Sequence, residues 1–337
     1  MLFRSYSGHL LKYILHRAWR CCIIKGVITI RIEGNDKGQR LDRFLRKYLK
    51  EAPLSHIYRI IRKDVKVNGK RAGEDSILEE GDEITLYLSE QELAQFLRKP
   101  GKPGRRPNID ICYEDEHLIA VNKPFGLLTH GDAREKKIHL ANRVVDYLIA
   151  EGAYDPAGEK TFTPAPANRL DRNTTGIVLF GKDSETMRWL NSELKERSEG
   201  RGSIAKQYLT IVKGEMPRSM RLTGSLTKDE RSNRVTVGDS GVKAETLVRP
   251  VRTGNGYTLA EVELVTGRTH QIRAHLADAG YPVIGDPKYG DPRVNRNMKD
   301  RYGLAAQLLH AFRVSFPESG EALGKLSGLV IDRKSVV

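Results

Sequence analysis

The sequence predicts an α+β fold with a mixed, mainly antiparallel sheet and helices, preceded by a small α/β module. Many short strand-like runs are interleaved with helical stretches at irregular intervals, whereas a doubly wound fold would alternate strand and helix regularly. Neither G-x-x-x-x-G-K-S/T nor a strand-linked G-x-G-x-x-G occurs, which argues against P-loop NTPases and dinucleotide-dependent enzymes.

Length and charge narrow the function classes. The 337 residues suffice for about two domains. Lys and Arg number 57 against 43 Asp and Glu, a net charge of +14, which favours a polyanionic partner such as nucleic acid. No apolar run reaches the ~20 residues of a membrane span. Cys21, Cys22 and Cys112 form no C-x-x-C pair, so we expect a cytoplasmic protein without a cysteine zinc site.

The first 26 residues read as a basic extension rather than a domain, with five Lys or Arg and no acidic residue. Lys12, His16, Arg17 and Arg20 interrupt the apolar stretch, so a secretory signal is not predicted. We expect residues 1–26 to be poorly ordered, the alternative being contact with RNA or a membrane surface.

Residues 27–90 predict a small mixed module. Its elements follow from alternating or helical spacing of apolar residues and from turn residues. They are a strand at 27–32, a helix at 40–50, a second short helix with Ser55 as its N-cap, a hairpin turn at Asn68-Gly69 and a strand at 83–89.

The outward faces of the two predicted helices and the hairpin are basic. Such a surface can follow RNA phosphates, although a run of charge is more often only a solvated face. The residues are Arg40, Arg43, Arg46, Lys47, Arg59, Arg62, Lys63, Lys66 and Lys70. A basic linker rich in proline and glycine is predicted at 91–108, before a larger domain at 109–337.

Strand-like and helical runs alternate irregularly through the larger domain. We predict strands at 176–182, 206–214, 247–265 and 310–316, and helices near 139–150, 184–198 and 270–280.

Three polar groups stand out in this domain. Asp171 and Arg169 lie in NRLDRNTTGIVLFGK, on a connector before a strongly apolar strand; such an aspartate is either a turn cap or functional. In TGRTHQIRAHLADAG, a helix from about Thr269 would place Ile272 and Leu276 on its buried face. Arg273 would then project from the helix one residue further round than that face. His270 and His275 are five residues apart, which argues against a metal site; we expect them to form hydrogen bonds or face phosphate.

The third group, Lys206-Gln207-Tyr208, opens a strand, where the aromatic ring packs in the core or stacks on an RNA base.

The motifs in series resemble known families. GQRLDRFLRKYLK, SHIYRIIRKDVKVNGKR and EEGDEITLYL are similar to an S4 RNA-binding domain. NRLDRNTTGIVLFGK, KQYLTIVKG and GRTHQIRAHL resemble, in order and spacing, the motifs of the RluA family of pseudouridine synthases, as do EDEHLIAVNKPFGLLTH, GYPVIGDPKYG and LLHAFRVSF. Within that family the sequence is most similar to the RluC type, which modifies uridines of large-subunit ribosomal RNA.

The resemblance implies roles for five residues. Asp171 would be the essential carboxylate, Arg273 its ionic partner and Tyr208 the aromatic residue that stacks on the target base and serves in proton transfer from C5. Ile272 would line the pocket, and Arg169 would occupy the space left by the extruded uridine, its alternative being a phosphate or salt-bridge contact. No cofactor and no metal are implied, and we expect a monomer.

The sequence departs from the family motif at three positions. Asn168 stands in place of the usual histidine, Thr175 in place of serine and Gly181 in place of alanine. Two alternatives stay open: a synthase for another ribosomal or transfer RNA site, and a catalytically silent RNA-binding ribosome-assembly factor. The presence of Asp171, Tyr208 and Arg273 argues against the second.

Overall fold

The computed structural model describes residues 23–24, 26–97, 106–132, 135–156, 158–197, 204–229, 231–318 and 326–333. They belong to two compact units. The first contains the described residues up to Pro107 together with 145–164 and 183–185, and the second contains those of 108–144 and 165–182 and those from Thr186 onward. Within the described residues no helix is long and apolar enough to cross a membrane.

The first unit combines one small sheet with three helices packed on it. Its core includes the strand residues Ile28, Ile30 and Ile84 and the helix residues Phe44 and Ile60, all at most 1% exposed. The strands are β1 (Ile23–Ile24), β2 (Val27–Arg31), β3 (Val65–Val67) and β4 (Glu83–Leu86), and the helices are α1 (Leu41–Tyr48), α2 (Leu54–Lys63) and α3 (Glu90–Phe96). The strands pair in the order β1-β2-β4-β3, antiparallel throughout.

Three boundaries in this unit differ from the sequence prediction. Helix α2 begins at Leu54 after Pro53, so Ser55 lies in its first turn and is not the N-cap. Strand β1 lies inside the segment 1–26, which is predicted to be a poorly ordered extension, and it pairs with β2 just after that segment. The other residues of the extension, apart from Gly26, lie outside the described residues. Helix α3 occupies the start of the predicted linker, because Ser89 and Glu92 form a capping box that starts a helix there. Residues 98–105 of that linker are also outside the described residues.

Residues 145–164 belong to the first unit although the sequence prediction places them in the larger domain. Thr161 Oγ1 donates a 2.7 Å hydrogen bond to the buried Asp36, and Gln39 Nε2 donates one of 3.0 Å to Thr161. Lys160 forms ion pairs with Glu33 and Asp36 at 3.1 and 3.4 Å. These polar contacts join positions more than 120 residues apart, which local sequence patterns do not report.

The second unit is built on one large sheet. Its helices are α4 (Leu140–Ala150), which begins in this unit, α5 (Ser184–Arg197), which lies in it from Thr186 onward, α6 (Gln271–Asp278) and α7 (Pro292–Tyr302). Its strands are β5 (Asp110–Glu114), β6 (Leu118–Lys123), β7 (Ala165–Pro166), β8 (Thr175–Gly181), β9 (Ala205–Lys213), β10 (Met220–Asp229), β11 (Arg234–Gly238), β12 (Val242–Gly254), β13 (Tyr257–Leu264), β14 (Leu309–Ser315) and β15 (Val330–Asp332).

The sheet of the second unit is mixed and mainly antiparallel, as the sequence predicts. Its described strands run in the order β11-β10-β12-β13-β9-β14-β8-β6-β5, with β15 paired to β14 and β7 paired to β8. The β14–β8 pair is parallel, and the other pairs are antiparallel. At this parallel pair a Cβ on Gly176, whose φ is +113°, would lie 2.2 Å from the carbonyl oxygen of Ala311. Only glycine permits this close approach.

Several elements of this unit differ from the prediction. The run 247–265 forms two strands, β12 and β13, joined by a turn in which Asn255 has φ 54° and Gly256 φ 79°. Strands β10, β11 and β15 and helix α7 are not predicted. Residues 326–333 pack on the sheet, since Leu326 and Ile331 enter its core and Arg333 donates to Asp110 at 2.9 Å.

Candidate active site

Asp171 lies on the connector between β7 and β8, and both neighbouring residues are fixed. The Oγ1 of the buried Thr129 donates to the carbonyl of Leu170 at 3.0 Å and accepts from its amide at 3.1 Å. The carbonyl of Arg172 accepts a 2.9 Å hydrogen bond from Lys123 Nζ. The Asp171 side chain itself is 27% exposed. The connector therefore presents one partly accessible carboxylate on an immobilised backbone.

Lys123 ends β6 and is completely buried. Its ammonium also donates to the carbonyls of Pro124 and Leu127, at 3.1 and 2.7 Å. Burial lowers the pKa of Lys123 to about 8, while the negative charge of Asp171 acts in the opposite direction. The group is therefore mainly protonated at pH 7 and can donate all three hydrogen bonds, which join the 124–127 turn to the Asp171 connector.

Arg273 joins Asp171 to a second carboxylate, Asp286. Its Nη1 donates to Asp171 Oδ2 at 2.8 Å, and its Nε and Nη2 donate to the two oxygens of Asp286 at 2.6 and 2.9 Å. The contact with Asp286 is the bidentate arrangement that fixes a guanidinium plane. Helix α6 is buried from Gln271 to Leu276, so Arg273 is only 4% exposed and does not project beside the buried face.

The two charges of this buried contact stabilise each other. Burial acts to raise the pKa of Asp286, but hydrogen bonds from Arg273 and from the amides of Lys288 and Tyr289 bring the pKa below its ordinary value. Burial likewise acts against the charged form of Arg273, and the two carboxylates raise its pKa above the ordinary arginine value. Arg273 and Asp286 therefore remain an ion pair, which orients the guanidinium toward Asp171.

His270 closes the site beside Arg273. It precedes α6 in the left-handed region, with φ 53°, and its Nε2 is 3.9 Å from Asp171 Oδ2. Its Nδ1 is 2.9 Å from the hydroxyl of Tyr289, whose ring lies 5.1 Å from the Arg273 guanidinium carbon. Burial is the main cause of a lowered His270 pKa, so the ring is neutral at pH 7. The expected hydrogen-bonded role applies to both histidines, since His275 Nδ1 is 2.9 Å from Thr246 Oγ1.

The other residues predicted for the site occupy different depths. Tyr208, on β9, is 4% exposed, and burial followed by the charge of Asp171 raises its pKa well above the ordinary value. Its phenol is therefore protonated at neutral pH. Ile272 is 4% exposed and adjoins Arg273, whereas Arg169 is exposed, two residues before Asp171. Tyr208 and Ile272 are therefore buried residues, and Arg169 is a surface residue of the Asp171 connector.

The three departures from the family motif have local explanations. Asn168 accepts from the Leu179 amide at 2.8 Å and donates to the Ile177 carbonyl at 3.3 Å, which fixes the connector to β8. Thr175 Oγ1 is 2.7 Å from His310 Nδ1 on the neighbouring strand. A Cβ on Gly181 would lie 2.6 Å from the side chain of Met187, so alanine does not fit there.

The predicted RNA-binding residues of the first unit differ in their availability. Arg43, Arg59, Arg62 and Lys63 are exposed. Arg40 donates to Asp42 from Nε at 3.1 Å, so part of its charge is paired locally. Lys66 lies over an aromatic ring, with its Nζ 5.5 Å from the centroid of Tyr87, and Arg46, Lys47 and Lys70 are exposed.

Comparison with known proteins identifies the family. A family model described as RNA pseudouridylate synthase matches residues 117–278, a range that includes Asp171, Tyr208 and Arg273. The chain is also 34% identical over 297 residues to "Ribosomal large subunit pseudouridine synthase C" of Vibrio vulnificus, covering 86% of this chain and 88% of that protein. The chain belongs to the RNA pseudouridylate synthase family. It is thus, as the motifs imply, an RluA-type RNA pseudouridine synthase.

Further comparisons agree with membership of this synthase family. The protein of the same name from Escherichia coli K12 is 33% identical over 310 residues, covering 88% of this chain and 91% of that protein. The solved structure of human RNA pseudouridylate synthase domain containing 4 aligns with a TM-score of 0.51 at 22% identity, over 67% of this chain and 88% of that one. This likeness confirms the synthase fold.

Asp286, Lys123 and Thr129 were not predicted as site residues. Asp286 lies in GDPKYG, where an isolated aspartate between turn residues gives no sign that it binds an arginine 13 positions earlier. Its complete burial is the informative feature, and only the fold shows it. Among the described residues, no group of three or more His, Cys, Asp and Glu side chains could hold a metal ion.

Proposed function

We propose that this protein isomerises uridines of large-subunit ribosomal RNA to pseudouridine, with Asp171 as the catalytic carboxylate. The Asp171–Arg273–Asp286 arrangement is the observation that carries the proposal, because it aims a partly exposed carboxylate from a fixed backbone. The names of the relatives at 33–34% identity support the substrate class. An rRNA substrate implies action in the cytoplasm, and the enzyme is proposed to act as a monomer without a cofactor.

The reaction detaches uracil from C1′ of its ribose, rotates the base and rejoins it through C5, so composition does not change. Asp171 acts either as nucleophile at C1′ or as base at C2′, and in both roles it must be ionised and close to the ribose. Arg273 supports both roles, since its Nη1, 2.8 Å from Asp171 Oδ2, fixes the direction of the carboxylate.

The remaining residues serve the base and the RNA. Tyr208 forms the inner wall against which the uracil stacks, and Ile272 provides an apolar contact beside it. Because its phenol is protonated, Tyr208 contributes first by packing. A later part in removing the C5 proton requires that the phenol first pass its own proton to another group. Arg169 occupies the space left by the extruded nucleotide, which recovers part of the few kcal/mol that extrusion costs.

Mapping of pseudouridine tests the function directly. Carbodiimide-primer extension is applied to ribosomal RNA from a deletion strain, and the purified chain is then added to that RNA. We expect specific stops to disappear on deletion and to return on incubation with the enzyme. Sites found only in transfer RNA, or no change at any site, would contradict the proposal.

The Lys123→Met variant is expected to lose about 10- to 10²-fold in single-turnover rate, because the carbonyl of Arg172 loses its donor and Asp171 shifts. The unsatisfied carbonyls also destabilise the unit by about 1–3 kcal/mol. Lys182→Met is the matched control. Lys182 Nζ donates a 2.7 Å hydrogen bond to the carbonyl of Asp115, which is not part of the Asp171 connector. We expect it to lower the unfolding temperature with a rate within a few-fold of wild type. Equal rates in the two variants would remove Lys123 from the positioning of Asp171.

The first unit supplies a second testable surface. In the full-length chain, changing its exposed Arg43, Arg59, Arg62 and Lys63 together to glutamine is expected to weaken rRNA binding and reduce the slope of log K against log salt by about 3, because fewer counterions are released. Filter binding at several salt concentrations measures the slope, and thermal unfolding checks that the fold is retained. An unchanged slope would mean that these residues make no phosphate contact.

A further inference from the structure

Helix α7 is well defined at both ends although none of its residues is buried. Asp291 caps its start, accepting from the amides of Arg293 and Val294 at 2.8 and 3.0 Å, and forms a 2.6 Å ion pair with Lys213. At the other end Gly303 adopts φ 71° and donates to the carbonyl of Lys299. Its apolar side chains Val294 and Met298 are only half-buried, so core packing contributes little and these caps are an important support.

The exposed side of α7 carries unpaired positive charge. Arg293, Arg296 and Lys299 follow at three-residue steps and are all exposed. Unlike Arg249, which pairs with Glu261 at 2.8 Å, none of the three side chains makes an ion pair or hydrogen bond within the described part of the chain. Tyr302, at the end of the helix, is 73% exposed. A row of free cations next to an exposed aromatic ring is complementary to the phosphates and bases of RNA.

The helix is connected to the candidate active site through Asn295. Its Nδ2 donates to the carbonyl of Asp286, and its Oδ1 accepts from the amide of Gly285, both at 2.8 Å. Asp286 in turn holds Arg273 against Asp171. Helix α7 is therefore joined by the Asn295 side chain to the loop that orients Asp171 through Arg273.

We propose that helix α7 binds the phosphate backbone of the substrate RNA beside the target uridine. The inference rests on the proposed function, since the ligand is the RNA on which that function acts. An RNA strand whose extruded nucleotide reaches Asp171 must pass next to the loop that Asn295 fixes, and α7 places three free cations there. Eleven residues at 1.5 Å each give a basic edge of about 16 Å.

The test replaces Arg293, Arg296 and Lys299 together by glutamine in the full-length chain. Glutamine keeps helix propensity, so the helix should persist. The control variant changes Arg218, Lys243 and Arg252 to glutamine; these two arginines and one lysine are exposed residues of the same unit, and their removal lowers the net charge equally. Both variants are titrated with in vitro transcribed large-subunit rRNA at several salt concentrations, and single-turnover rates are measured at saturating enzyme.

For the α7 variant we expect the dissociation constant to rise at least ~10-fold and the slope of log K against log salt to fall by about 2 to 3, with the saturated rate within a few-fold of wild type. The control should change the slope by less than about 1. Equal slopes for the two variants, or unchanged binding by the α7 variant, would overturn the proposal. If wild type binds the RNA but forms no pseudouridine, the proposed function fails, and the comparison of slopes still decides the role of α7.

Discussion

The Asp171→Asn enzyme is expected to form no measurable pseudouridine, a loss of at least about 10⁴-fold, while its affinity for rRNA stays within a few-fold of wild type. The amide keeps the size of the carboxylate but cannot act as nucleophile at C1′ or base at C2′. Folding should be preserved, because Arg273 keeps both contacts with Asp286 when Asp171 is neutralised. The buried guanidinium is thus never left without a counter-charge.

Tritium release from C5-labelled rRNA measures turnover of this variant, and filter binding measures its affinity. Asp239→Asn provides the control, since Asp239 is exposed in the same unit, and it should behave as wild type. Activity of Asp171→Asn within a few-fold of wild type would remove Asp171 from the mechanism and support a protein that binds RNA without modifying it.

The second large effect is expected for Arg273→Lys, with a single-turnover rate at least about 10²-fold below wild type and a dissociation constant changed by no more than a few-fold. A lysine keeps the charge but lacks the planar fork that contacts Asp171 and both oxygens of Asp286 at once. The Asp171 carboxylate would then lose its fixed direction. Single-turnover kinetics at saturating enzyme separates this rate loss from weaker binding.

Two further variants make the interpretation specific. Arg249→Lys replaces an arginine that pairs with Glu261 at the surface, and it should leave the rate unchanged. Asp286→Asn removes the charge that anchors Arg273, so it should lower the rate although it does not touch Asp171 directly. If Arg273 were a phosphate clamp, lysine would substitute with a near-normal rate, or the rate loss would follow weaker RNA binding entirely; either result would contradict its role as the partner of Asp171.

The sequence allows the elements with a periodic apolar pattern to be predicted. Strands β8, β9 and β14 lie within one residue of their predicted ranges because alternating or continuous apolar residues mark them. Helix α7 is not predicted because its half-buried apolar residues, Val294 and Met298, are too few to give a periodic pattern. Helix α3 was missed because its capping box lies next to a segment dominated by proline and glycine.

For the candidate site, family motifs name Asp171, Tyr208 and Arg273, but they do not show how these residues are held. The supporting contacts join Lys123 to Arg172, 49 positions away, and Thr129 to Leu170, 41 positions away. Such pairings depend on how β6 packs beside β8, so no local pattern reports them. The assignment of 145–164 to the first unit escaped prediction for the same reason.

The central position of β14 bears on the order in which the protein is made. This strand lies between β9, which carries Tyr208, and β8, which follows Asp171. These two strands are joined in the sheet only through β14. Its pairing with β8 joins His310 to Thr175, a loop closure over 135 residues that is slow to form. A growing chain on the ribosome therefore cannot complete this sheet until β14 has been synthesised, well after Asp171 and Tyr208, and the site stays incomplete until then.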